Sequence, residues 1–377
     1  MKSYKLGEIA SFFQGKQVDL ENQFLNKDEN HNVRFVRIVD YTNSDEPIRY
    51  IENLGEKYYA RKGDLVMIRY GSQTAGKVVM GKSGIIANNM FKINLDNTVA
   101  NNEFMYYYLS QPHIFDYLRR AQSSSTMPAI NFGMLNNFEV MIPNIDIQEK
   151  IVSILKKLDD RIKINTQIND NLYELGDVLY KEYYSKYENE LPNGYKYLNL
   201  NEVSVNFDSK RKPMSSRERE QHKGIYPYYG ATSIIDYVDD YIFDDTYLLM
   251  GEDGTVKTNE GYPVLQYIWG KSCINNHTHV LQGTIISTEH LMFALRKKNI
   301  ETLITGAVQP KINQENMNKI KIIIATDDIN IKFEEQIKII VDKIKFNSIE
   351  NITLTQLRNT LLPKLMNEKI DLNKIEV

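Results

Sequence analysis

The sequence predicts an α+β chain: two tandem, mixed, strand-rich domains separated by two long antiparallel coiled-coil helices, arranged as a pseudo-twofold repeat. Three observations predict it. The chain matches itself at a constant offset over a long span. Two long segments carry apolar residues at helical spacing. The remainder consists of strand-like runs punctuated by Gly and Asn.

Residues 128–179 match residues 310–361 at an offset of 182, with no gap. Pro128, Ile130 and Asn131 fall on Pro310, Ile312 and Asn313. Asn136, Ile142 and Asp146 fall on Asn318, Ile324 and Asp328. Asp160, Ile162, Asn165, Asn169, Leu172, Leu175 and Leu179 fall on Asp342, Ile344, Asn347, Asn351, Leu354, Leu357 and Leu361. Upstream the offset drifts: Leu6, Glu8, Ile9 and Phe13 resemble Leu200, Glu202, Val203 and Phe207, and Asn88-Asn89 resembles Asn275-Asn276. A duplicated frame with diverged centres is expected when each copy reads a different target.

Residues 1–144 form the first strand-rich domain. Asp64 to Tyr70 reads as a strand before Gly71, and one helical stretch is expected around Glu103 to Arg120. Residues 145–186 hold the first long helix, from about Ile147 to Tyr184. Ile147, Ile151, Ile154, Leu158, Ile168, Leu172, Leu175 and Leu179 form a heptad seam, interrupted at Arg161 and Asn165. Residues 187–326 form the second domain, entered through the turn Leu191-Pro192-Asn193-Gly194, with a strand at Tyr247 to Met250 before Gly251. Residues 327–370 hold the second helix, with Ile337, Ile340, Ile344, Leu354, Leu361 and Leu365 as its apolar face. Two such faces most simply bury each other. A helix of about 38 residues is about 57 Å long. Asn165 sits near the midpoint of the first helix. If equivalent midpoints meet, it faces its repeat mate Asn347 and the two fix the register of the pair.

Composition narrows the function classes. The chain has 377 residues, 42% hydrophobic and 25% charged, which suits two globular domains plus connecting elements. Its single cysteine, Cys273, allows no internal disulfide and fits a reducing cytoplasm. The start, Met1-Lys2-Ser3-Tyr4-Lys5, carries no apolar core, so no signal peptide is expected, and no stretch is apolar enough to cross a bilayer. A net charge of −3 does not advertise a nucleic-acid binder, so any such binding must use local positive charge or partners. Local clusters exist in Lys210-Arg211-Lys212, with Arg217, Arg219 and Lys223 near them, and in Arg119-Arg120. A solvated surface is the plain alternative for each.

No catalytic motif is present. The chain lacks an Asn-Pro-Pro-aromatic segment for holding an extruded adenine. Cys273, His277 and His279 come closest to a metal cluster, but zinc needs a fourth ligand or open position and tidier spacing. They are read as a polar strand, and no metal site is assigned. Gly251-Glu252-Asp253-Gly254 reads as a structural turn. Ser123-Ser124-Ser125-Thr126 reads as a loop or as phosphate contacts beside Arg119-Arg120.

Several segments resemble the DNA-specificity subunits of Type I restriction–modification enzymes. Leu357-Arg358-Asn359-Thr360-Leu361-Leu362-Pro363-Lys364-Leu365-Met366 resembles that family's C-terminal end. Gln148-Glu149-Lys150-Ile151, continuing through Leu158-Asp159-Asp160-Arg161-Ile162 to Asn165 and Asn169, resembles the opening of its central helix. Tyr228-Tyr229-Gly230-Ala231-Thr232, Ile235 to Asp245, Asn275-Asn276-His277 and Leu6-Gly7-Glu8-Ile9-Ala10 resemble segments of its target-recognition domains. The resemblance covers nearly the whole chain and is most specific in the helices.

The resemblance implies a non-catalytic chain that reads a bipartite, asymmetric target in double-stranded DNA. It implies two modification (methyltransferase) subunits packed on the helices and restriction/translocase subunits joining them, all cytoplasmic. S-adenosylmethionine, ATP and Mg are then expected on the partner subunits and no cofactor on this chain. Phosphate contacts are expected from Arg119, Arg120, Ser124, Lys210, Arg211 and Lys212, and base contacts from Gln73, Tyr229, Asn275, Asn276 and His277. Two rival readings stand beside it: a coiled-coil scaffold without DNA contact, and a stand-alone DNA-nicking or DNA-modifying enzyme.

Overall fold

A computed structural model of the chain describes residues 1–43, 46–71, 74–120, 129–306, 309–367 and 370. It divides into two compact units: Met1–Lys163 with Asn351–Val377, and Ile164–Glu350. Unit 1 carries strands β1 (Lys2–Lys5), β2 (Ala10–Gln14), β3 (Val33–Val36), β4 (Arg49–Ile51), β5 (Tyr59–Ala60), β6 (Leu65–Ile68), β7 (Val78–Met80), β8 (Gly84–Ile86), β9 (Met90–Leu95) and β10 (Glu139–Ile142). They form a β1-β10 pair and two four-stranded sheets, ordered β2-β9-β6-β7 and β4-β3-β8-β5.

Unit 2 carries β11 (Lys196–Asn199), β12 (Ser204–Asn206), β13 (Lys223–Tyr229), β14 (Ile234–Val238), β15 (Phe243–Asp244), β16 (Tyr247–Gly251), β17 (Leu265–Ile268), β18 (Lys271–Ile274), β19 (Thr278–Gly283) and β20 (Lys321–Ile324). Its sheets are β11-β20, β12-β19-β16-β17 and β14-β13-β18-β15, the unit 1 order repeated strand for strand. In both units the parallel pair is the same one, β3 with β8 and β13 with β18.

The matched residues have physical jobs. Asn131 and Asn313 cap short helices by accepting from Met134 N–H (2.7 Å) and Asn316 N–H (2.8 Å). Ile130 and Ile312, just before them, are fully buried. Glu8 and Glu202 accept from Lys5 N–H and Asn199 N–H, closing capping boxes at the first helical turn of each unit. The core of unit 1 gathers Leu6, Leu65, Phe91, Phe104, Ile130, Val140, Ile151 and Leu155. That of unit 2 gathers Tyr184, Leu200, Leu248, Met250, Phe293, Ile312, Phe333 and Ile337.

The stretch Glu103 to Arg120 is two helices, Asn102–Leu109 and Pro112–Arg120. Pro112 has no N–H and disfavours helical geometry in the residue before it, so the first helix stops there. Unit 2 contains a helix the sequence reading missed, Thr288–Arg296, capped by Ser287. Nearly all of its residues are buried, and so short a run of apolar residues reads from sequence as a buried strand as readily as a helix.

The long helices run Ile145–Tyr183 and Asp327–Met366. Each compact unit takes part of both, rather than leaving them as separate connectors. Within unit 1, Arg358 pairs with Asp159 (2.6 Å). Within unit 2, Asn169 bonds Ile344 O and Ser348, and Tyr184 donates to Asn330 (2.9 Å). Partner numbers rise on one helix as they fall on the other, so the pairing within unit 2 is antiparallel. Leu175, placed on the seam by its spacing, is 47% exposed. Its neighbour Gly176 is the buried residue, because a Cβ there would lie 2.2 Å from the Phe293 ring. The central helix packs at that turn against Thr288–Arg296, which rotates Leu175 outward.

Candidate nucleic-acid interface

Each unit gathers its candidate site at the exit of its parallel strand pair. In unit 1, Ala87 N–H donates to Val36 O (2.9 Å) and Lys16 N–H to Ile86 O (2.9 Å). Arg69 N–H donates to Asn89 O (2.8 Å), and Ile130 N–H to Arg69 O (3.0 Å). Unit 2 repeats all four bonds: Asn275 to Tyr229 O (3.0 Å), Lys212 to Ile274 O (3.1 Å), Glu252 to His277 O (2.9 Å) and Ile312 to Glu252 O (2.9 Å).

These bonds align the two modules residue by residue. Asn88 and Asn89 correspond to Asn276 and His277, one position on from the Asn275-Asn276 match made by residue identity. Ladder register decides the match, because a slip of one residue would turn every side chain to the other face. Lys16 corresponds to Lys212 and Arg69 to Glu252. Strand register places Gln14 and Phe91 where unit 2 has Asp208 and His279.

The matched positions carry unlike chemistry. In unit 2, Asp208 accepts from His279 Nδ1 (2.6 Å) and Val280 N–H (2.8 Å), while His279 Nε2 faces Ile312 O (2.9 Å). Arg211 donates to Glu252 (2.6 Å) and Thr278 O (2.8 Å), and Lys311 pairs with Glu252 (3.2 Å). Burial raises the Asp208 carboxyl, but the His279 hydrogen bond and charge outweigh it and hold the group below its ordinary value. Glu252 is likewise raised by burial and held low overall, chiefly by Arg211 and His279. In unit 1 the same region holds a neutral Gln14, whose Nε2 donates to Asn88 O (3.0 Å), and a cationic Arg69.

The expected contact residues divide. Lys210 and Lys212 are exposed beside the unit 2 loop, and Lys210 lies over the Phe207 ring at 4.9 Å. Arg211, between them, turns inward to Glu252. Its side chain is a strut of the loop, held where it leaves the 3-10 turn Asp208–Lys210 by its Nε donating to Asp208 O (2.9 Å). Asn276 and His277 are exposed, with His277 Nδ1 on the Asp253 carboxylate. Asn275 is buried, and its Oδ1 accepts His277 N–H (3.0 Å), a turn-forming role. Tyr229 is half-buried against Phe243, Tyr247 and Ile274, and burial raises its hydroxyl.

In unit 1, Arg119 and Arg120 are exposed in the last turn of their helix, where cations also suit the helix dipole. Gln73 and Ser124 lie outside the described residues. Lys16, exposed and equivalent to Lys212, was missed by sequence reasoning. A two-residue drift in the repeat offset hid it.

Asn165 and Asn347 are 0% and 1% exposed. Their amide bonds go to other partners than the repeat suggested. Asn347 Nδ2 donates to Asn169 Oδ1 (2.8 Å), and Asn165 Nδ2 donates to Glu350 (2.6 Å). The antiparallel stagger puts Asn169, one turn along, opposite Asn347.

Cys273, His277 and His279 are not brought together. Cys273 donates to Asp240 O (3.4 Å) and packs beside Tyr228 and Val238. Among the described residues the group able to converge on an ion is Asp208, Glu252 and His279, with ligand atoms within 4.8 Å of one another. Arg211 and Lys311 already balance its carboxylates, so it is a self-neutralised knot.

A family model described as the Type I restriction modification DNA specificity domain matches residues 1–174 and 192–359. The Type I restriction enzyme MjaIX specificity subunit of Methanocaldococcus jannaschii is 21% identical over 77% of this chain and 74% of its own length. The Type I restriction enzyme HindI specificity subunit of Haemophilus influenzae is 23% identical over 98% of this chain and 99% of its own. A crystal structure of a Type-I restriction-modification system S subunit from M. genitalium matches in fold with a TM-score of 0.57 at 18% identity, over 97% of this chain and 96% of that one.

Proposed function

The chain belongs to the family of Type I restriction–modification DNA-specificity domains, and on that premise we propose that it selects the DNA sequence for a multisubunit enzyme without performing the chemistry itself. It reads a bipartite, asymmetric target in double-stranded DNA, one half-site per strand-rich module. One observation carries this: the modules share a backbone frame bond for bond yet hold Gln14, Arg69 and Phe91 where the other holds Asp208, Glu252 and His279. A frame that is kept while its exit-loop chemistry differs is suited to reading two unlike sequences.

Two modification subunits dock on the long helices and bring S-adenosylmethionine, and restriction/translocase subunits bring ATP and Mg. The closing helix supports docking, since Ile339, Phe346 and Ile349 stand exposed on one stripe within unit 2. No helix among the described residues is long and apolar enough to cross a membrane, and the buried free thiol of Cys273 suits the cytoplasm. Lys16, Lys210, Lys212, Arg119 and Arg120 supply phosphate contacts, and Asn88, Asn276 and His277 reach base edges.

Mapping methylated adenines genome-wide, in cells with and without this chain, tests the proposal. A bipartite motif that vanishes without the chain is expected. An unchanged map, or methylation by the purified chain alone with S-adenosylmethionine, would favour the scaffold or the stand-alone enzyme.

A further inference from the structure

Arg69 is a cation held in place with no carboxylate beside it among the described residues. It follows β6 directly, and its backbone is fixed on both sides by Asn89 O and Ile130 N–H. Its Nε donates to Ile130 O (3.3 Å). The guanidinium lies over the Tyr70 ring at 4.9 Å and the Phe132 ring at 5.8 Å. Phe132 is itself stacked on Phe12 (5.6 Å) and set edge-on to Phe91 (5.2 Å), so the plate beneath the cation is anchored in the core.

Among the described residues Arg69 has no carboxylate partner, and no bond from either terminal nitrogen is present. In sequence, the residues that lead from Gly71 to Thr74 and from Arg120 to Ala129 include no acidic residue. Most other half-buried arginines are paired: Arg37 with Asp40 and Glu46, Arg211 with Glu252, Arg219 with Asp236 and Arg296 with Asp177; Arg49 in β4 shares with Arg69 the lack of a carboxylate partner among the described residues, but has no aromatic ring beneath it there. A half-buried charge left uncompensated costs stability unless a ligand completes it. Stacking and the Nε bond together hold the plane of the fork before any ligand arrives, which lowers the ordering cost of a two-pronged contact.

We propose that Arg69 is a specificity-determining residue of unit 1, its two terminal nitrogens donating to O6 and N7 of a guanine in the major groove. The inference rests on the DNA-reading function above and deepens it. A planar fork fits that base edge with two parallel bonds, and no other base edge offers two acceptors so placed. The equivalent position in unit 2 is Glu252, occupied by Arg211 and Lys311, so the prediction applies to one half-site only.

The test compares methylated-adenine maps from cells carrying wild-type chain, Arg69→Ala and Arg69→Lys, with the full enzyme present. In the half-site that changes when residues 1–144 are exchanged, one G·C pair should relax. Discrimination there should fall about 10–100-fold in Arg69→Ala and substantially in Arg69→Lys, which keeps the charge but loses the fork. The remaining positions of that half-site and the whole of the other should be read as before, which also shows that the module is folded.

An unchanged motif would overturn the assignment. So would a half-site with no recognised G·C pair, or loss of that entire half-site in both variants. Uniform weakening at every target, with a salt slope lower by about one, would make Arg69 a phosphate contact and overturn base reading. Wild-type cells with no methylation dependent on this chain would refute the DNA-reading function itself, a different result from any of these.

Discussion

Replacing Asn347 with Leu removes the amide that donates to Asn169 Oδ1 across the helix pair of unit 2. Asn347 is 1% exposed and its acceptor Asn169 is half-buried, so water takes over that bond only in part. The acceptor left behind costs about 1–3 kcal/mol. Burying the leucine returns about 1.5–3 kcal/mol, so the single variant should stand near wild-type stability. Asn169→Leu alone strands the Asn347 amide at a similar cost. In Asn169→Leu with Asn347→Leu neither group is stranded. The double variant should therefore exceed the sum of the singles by about 1–3 kcal/mol. Denaturant unfolding of the four proteins measures this coupling. A coupling under about 0.5 kcal/mol, the additivity of independent sites, would refute the hydrogen-bonded layer. The register role has its own readout. A buried amide pair penalises slipped registers. Without it, duplexes whose gap is one base pair too long or too short should gain methylation relative to the proper target. An unchanged gap preference, with both half-sites still read, would remove Asn347 and its repeat mate Asn165 from setting the spacing.

Arg211→Ala should lower unfolding free energy by about 3 kcal/mol by leaving a half-buried Glu252 short of a partner, whereas Lys210→Ala and Lys212→Ala should leave stability unchanged. Each lysine variant should instead lower the salt slope of DNA binding by about one, measured as affinity against salt concentration. Gly176→Ala sets a Cβ 2.2 Å from the Phe293 ring and should cost at least about 1–3 kcal/mol, with Phe293→Leu in the same chain restoring part of it. Asp208 and Glu252 are both held below their unfolded values. Their contribution is therefore full above about pH 5 and lost as pH falls through the lowered folded values. Unfolding midpoints from pH 7 to 3 should show that loss in wild type and a shallower slope in Asp208→Asn.

Much of the frame was legible because the repeat preserves residues with local duties. Asn131 and Asn313 recur as helix caps, Ile130 and Ile312 as core, Glu8 and Glu202 as capping-box acids, and each can be found by identity alone. The long helices announce themselves by apolar spacing. The site was less legible. A run such as Lys210-Arg211-Lys212 shows where charge is dense but not that the middle residue folds inward onto Glu252. Arg69 carries no motif, since its character comes from packing over its neighbour Tyr70 and the distant Phe132, with no carboxylate partner among the described residues. Asn88-Asn89 was matched one residue off because identical side chains outvoted a backbone register invisible in sequence. Thr288–Arg296 escaped because so short an apolar run does not distinguish a helix from a buried strand.

The central claim is that each strand-rich module reads its own half of the target. Exchanging residues 1–144 for the same region of another family member, and mapping methylated adenines before and after, tests it most directly. One half-site should change completely while the other, read by residues 187–326, stays as it was. A map in which both half-sites change, or neither does, would contradict the claim.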